Sequence, residues 1–164
     1  MRAPSPVDQA NALVRHLGDQ IGISSMSLDE RGCCLLLVAR RWALSLVLDA
    51  SHETLYLSCP VTGPGQLEAI PPAVWVAWLQ AQHLGGASSG ATVAVDPEGR
   101  VCMQQALHLP SAVPARLLDA IELLLGRAAQ WAARLAQPDS ASAPVMSGSS
   151  SAATLPAMLH HTRI

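Results

Sequence analysis

The chain has 164 residues, enough for one domain with a sizeable core, and half of them are hydrophobic. Aromatics make up only 3% and Phe is absent, so that core has to be built from Leu, Val, Ala and four Trp. Ten Arg and no Lys against twelve acids give a net charge of -2 with no basic stripe, which excludes a nucleic-acid surface, and no apolar run approaches the ~20 residues of a membrane span.

In chain order, MRAPSPVDQANALVRHLGDQ lacks the unbroken apolar run of a secretory signal, so a cytosolic location is expected. Within it Ala10, Leu13, Val14 and Leu17 recur at helical spacing, which predicts a helix over residues 8–18 opened by Asp8 and closed by Gly18 and Gly22. A turn at Asp29 to Gly32 follows. Three apolar segments at 33–38, 42–49 and 53–59 then read as an antiparallel meander. In the second of them Trp42, Leu44, Leu46 and Leu48 share one face while Ala43, Ser45, Val47 and Asp49 take the other. Both faces are partly apolar, so a covering helix on one side still leaves the other to meet something.

PPAVWVAWLQAQHL predicts a second helix with its prolines at the first turn, where a missing N–H costs nothing. Trp75, Trp78 and Leu79 share one side of it. GATVAVDPEGRVCMQQAL is a hairpin whose Asp96, Pro97, Glu98 and Gly99 form the turn. From Pro114, Leu117, Ile121, Leu124, Ala128, Trp131 and Leu135 trace the stripe of a long final helix. The rest is rich in Ser, Ala and Pro. The expectation is therefore an α+β domain over 1–136, ordered helix, three-stranded meander, helix, hairpin, helix, with a flexible tail over 137–164.

Catalytic chemistry finds little support. Cys33 and Cys34 are neighbours that point to opposite faces of a strand, and Cys59 and Cys102 lack the close ligand pairs that zinc requires, so all four read as core thiols. His160 and His161 are adjacent but sit in the tail. Asp29, Glu30, Asp96 and Glu98 fall in turns, where acids need no catalytic explanation. No catalytic residue, metal site or cofactor is assigned. The apolar surface left over by three helices points instead to a helix-and-hairpin dimer interface and a sheet face free to hold another chain.

The order of segments resembles the class I type III secretion chaperones, the CesT or Tir chaperone family. The residues that carry the resemblance are LDERGCCLLLV, LSLVLD, ETLYLS, WLQAQHL, GATVAVDPEGRVCMQQALHL and LLDAIELLLGRAAQW, and they run from about residue 8 to 136. The hairpin is the most specific part. Two departures stand out: AQHL replaces an Asn usual near the end of the second helix, and the long tail lies outside the common core. That tail, VMSGSS in particular, loosely resembles those of the general, multi-client HpaB-like branch.

The resemblance implies a homodimer without enzymatic activity that binds the extended N-terminal segment of effector proteins and delivers them to the export ATPase. It further implies a client groove on the first helix and first strands, here Leu13, Leu17, Leu35, Leu37, Leu44 and Leu46. The dimer contact it implies uses the second helix and hairpin, here Trp75, Trp78, Leu79, Val93, Val95 and Val101. The strand register decides which alternate set faces outward. The alternative readings are a small cysteine- or metal-dependent enzyme and a non-enzymatic scaffold binding one folded partner through the apolar sheet face.

Overall fold

Helix α1 (Pro6–Ile21) begins earlier than its apolar spacing suggests because Ser5, not Asp8, is the N-cap. The Ser5 hydroxyl accepts from the Asp8 backbone N–H at 3.2 Å, and the Asp8 carboxylate accepts from the Ser5 backbone N–H at 3.2 Å, closing a capping box. Gly22, at φ 73°, ends the helix in the left-handed conformation that Gly adopts without strain. Gly18 lies within the helix rather than ending it, and a Cβ there would stand 2.6 Å from the Ile23 carbonyl oxygen, so the chain after α1 folds back tightly over that position. The computed structural model of the chain describes residues 4–83, 90–136 and 159–161.

Strands β1 (Cys33–Val38), β2 (Trp42–Asp49) and β3 (Thr54–Pro60) form the expected meander, with Leu36 opposite Leu44 and Leu46 opposite Leu57. Helix α2 (Pro72–Gln82), the hairpin β4 (Thr92–Val95) and β5 (Val101–His108), and helix α3 (Pro114–Ala136) follow. The Asp96–Gly99 turn of the hairpin is pinned by Arg100, which donates from its backbone N–H (2.8 Å) and its Nε (2.6 Å) to the Asp96 carboxylate. Gly99 takes the left-handed conformation at φ 71°.

The hairpin joins the meander, because β5 pairs antiparallel with β3 and places Leu55 opposite Leu107 and Cys59 opposite Met103. A short strand that the sequence reading did not place, β6 (Leu159–His161), pairs antiparallel with β1. The sheet order is β4-β5-β3-β2-β1-β6. The remaining residues of the expected tail lie outside those described.

One sheet face carries Leu36, Val38, Leu44, Leu46, Leu55, Leu57, Val101 and Met103, all buried in one core with Val14 and Leu17 of α1 and Leu117, Ile121 and Leu124 of α3. Trp78 of α2 packs edge-on against Trp75 at 5.0 Å and Trp131 of α3 at 5.4 Å. The result is two layers, helices on one face of an antiparallel sheet. No helix among the described residues is long and apolar enough to cross a membrane.

Candidate functional site

The face opposite the helices is built by the other alternation. Cys33, Leu35 and Leu37 of β1 stand opposite Val47, Ser45 and Ala43 of β2, and Val47 and Ser45 in turn oppose Tyr56 and Ser58 of β3. Val47 and Tyr56 remain 38% and 39% exposed. Small residues at the centre keep this surface shallow, and the Ser45 hydroxyl donates to the Ser58 carbonyl at 3.3 Å, which spends its polarity inside the sheet. A trough of Leu, Val and Tyr with small neighbours, ending at Asp49 on β2, is suited to the alternate side chains of an extended peptide.

The β1–β2 hairpin that borders the trough closes through Ala39 and Arg40 at φ 53° and 54°. Three residues, Ala39 to Arg41, connect the paired Val38 and Trp42, and successive left-handed positions of this kind usually employ Asn or Gly. Here non-Gly residues hold the shape, and the Arg41 guanidinium caps it by stacking 4.7 Å over the Trp42 ring.

A second apolar surface lies on α2. Val74, Trp78 and Ala81 face the core, yet the opposite side carries Val76 and Leu79, 52% and 66% exposed. Apolar side chains on both sides of α2 therefore leave an apolar surface facing solvent in the single chain. Strand β4, against which α2 packs, contributes Val95, which is 48% exposed at the end of the strand.

The structure divides the residues singled out from the sequence. Of the six assigned to a client groove, Leu13, Leu17, Leu44 and Leu46 lie in the protomer core, the last two fully buried, while Leu35 and Leu37 sit half-buried on the open face. Of the six assigned to a dimer contact, Trp78 and Val101 are core, Leu79 and Val95 are exposed, and Trp75 and Val93 are partly covered. The placement of Trp78 follows from helix phase: one position separates the side facing Trp131 from the side facing out. Val47, Tyr56 and Val76 were not singled out, although the alternation that buries Leu44 and Leu46 already places Val47 on the opposite face. No comparable periodicity marks β6.

The cysteines are unsuited to nucleophilic work. Burial pushes the thiols of Cys34 and Cys102 up to about 11 and that of Cys59 up to about 12, and it also raises that of half-buried Cys33. A thiolate nucleophile needs a shift in the other direction. Among the described residues no three His, Cys, Asp or Glu side chains gather as metal ligands.

With this geometry in view, residues 12–132 match the family described as Tir chaperone protein (CesT) family. No curated protein matches the chain. Among solved structures, a chain of the ExsC–ExsE complex superposes with a TM-score of 0.71 at 21% identity, over 80% of this chain and 97% of that one. A chain of the HopA1–SchA chaperone–effector complex superposes with a TM-score of 0.64 at 19% identity, over 76% and 94%. The Yersinia pestis type III secretion chaperone SycH, solved with a stable fragment of YscM2, reaches 0.58 at 14% identity, over 74% and 98%.

Proposed function

The chain belongs to the Tir chaperone protein (CesT) family, and from that premise we propose that it is a non-catalytic type III secretion chaperone of the bacterial cytosol. It binds an extended segment near the N-terminus of effector proteins, keeps them secretion-competent and delivers them to the export ATPase.

The observation that carries this reading is the sheet face left uncovered by all three helices, with Leu35, Leu37, Val47 and Tyr56 along one side of it. An extended segment lays every second side chain into such a trough and adds backbone hydrogen bonds at a strand edge, while the ordering entropy of the segment offsets part of the gain. The protonated thiols favour binding over catalysis.

The exposed side of α2, together with Val95, fits a second copy of the chain, because a homodimer brings the same apolar patch to itself across a two-fold axis. Val76, Leu79 and Val95 are its centre, flanked by Trp75 and Val93. Trp78 and Val101, buried within the chain's own core, are not available to this contact, whereas Val76 is.

The test is a pull-down from secretion-induced lysate of the source bacterium, with bound regions mapped by truncation and repeated with Leu35→Asp and Leu37→Asp. Capture of proteins through N-terminal unstructured segments, lost in both variants while the dimer persists, is the expected result. Several unrelated clients identify a general chaperone and a single client a dedicated one. Capture of only a folded partner overturns the reading in favour of a scaffold.

A further inference from the structure

The edge of β1 is already occupied. Strand β6 lies antiparallel along it, with Leu159 opposite Val38, His160 opposite Leu37 and His161 opposite Leu36. We propose that this C-terminal segment is a built-in occupant of the β1 edge, a stand-in for an extended client that keeps the edge paired until a longer segment displaces it. The proposal rests on the client reading above.

The register shows how displacement can begin. Strand β1 has six residues and β6 pairs with only the last three, so the edge beside Cys33, Cys34 and Leu35 is left without a partner strand among the described residues. An incoming extended chain can pair there first and then extend toward Val38, removing β6 residue by residue. Because a six-residue partner makes more ladder hydrogen bonds than a three-residue one, the exchange runs in the client's favour once begun.

The connection permits the contact. Between Ala136 and Leu159 stand 22 residues, whose greatest possible span of roughly 70–80 Å exceeds any distance across a domain of this size. Tethering also raises the effective concentration of the segment at the edge, so three residues that would hardly bind as a free peptide can hold it. An unpaired edge beside an apolar face is a template for aggregation, and an internal strand along half of that edge shortens the template in the absence of client.

The test is amide hydrogen exchange by NMR on the full chain, on a chain ending at Met158, and on His160→Pro, which removes a backbone donor from the centre of β6. Those amides of Leu36, Leu37 and Val38 that point away from β2 are expected to exchange at least about fivefold faster in both variants, with β2 and β3 unchanged. Adding a synthetic peptide of residues 155–164 to the shortened chain in large excess, so that mass action replaces the lost tether, is expected to restore protection, while the full chain responds at least severalfold less to the same peptide concentration. Equal exchange in the full and shortened chains overturns the proposal. Protection that vanishes when the full chain is diluted assigns the strand to a neighbouring copy and overturns it as well. These rates are read without any effector, so a failed client reading and a failed edge occupant are told apart.

Discussion

Trp78 illustrates how one side chain sets the division between core and interface. It is 1% exposed and wedged between Trp75 and Trp131, so Trp78→Ala removes two aromatic contacts and leaves a cavity, at a cost of about 3–5 kcal/mol. Urea unfolding is expected to show this loss, and a variant with unchanged midpoint would place Trp78 outside the core. The thiols give a second expectation at this scale. With Cys34, Cys59 and Cys102 buried and their pKa values raised to about 11, 12 and 11, only Cys33 should react quickly with a disulfide reagent at pH 8. Rapid labelling of a second thiol in the folded protein would contradict the burial.

At the scale of elements, the turns and caps are held by carboxylates. Asp49, the last residue of β2, accepts from the Ser51 hydroxyl and from His52 in the turn that follows, whose Nδ1 lies 2.8 Å away, and these bonds pull its carboxyl well below the ordinary carboxylate range. Asp8 is lowered chiefly by the Ser5 hydroxyl, and Asp96 is lowered because the Arg100 bonds outweigh the opposing effect of burial. Each is ionised more readily folded than unfolded. The unfolded chain therefore takes up the protons first on acidification, and the stability these groups contribute is whole above about pH 4 and lost as pH falls through the folded values. Melting temperature measured from pH 7 to 2.5 should fall less steeply in the acid limb for Asp49→Asn than for the parent. Parallel limbs would mean that the turn contributes nothing.

For the whole molecule, the exposed apolar side of α2 is the surface on which the proposed contact with a second copy is tested. Leu79→Asp places a charge on that exposed side without touching the core, so if the proposed contact forms, light scattering should report a dimer for the parent and a folded monomer for the variant. A variant that stays dimeric would move the interface elsewhere, and one that unfolds would assign Leu79 to the core. Trp78→Asp, by contrast, is expected to unfold the protomer rather than split a dimer, because the charge would be buried beside Trp131.

Local physics made much of this protein legible from its sequence. The stripe from Leu117 to Leu135, the alternation in β2 and the Asp-Pro-Glu-Gly turn each follow from a period or a backbone preference carried by neighbouring residues, and the elements form where those periods place them. A two-residue period separates Leu44 and Leu46 from Ser45 and Val47, but it does not say which set the helices cover; α1 and α3, distant in sequence, settle that by burying the leucines. Helix phase likewise brought Trp78 and Leu79 close together without deciding that Trp131 claims the first and leaves the second exposed. The pairing of β5 with β3 and of β6 with β1 belongs wholly to tertiary structure, since a sheet edge is satisfied by backbone hydrogen bonds that any extended segment can supply and no side-chain pattern needs to announce it.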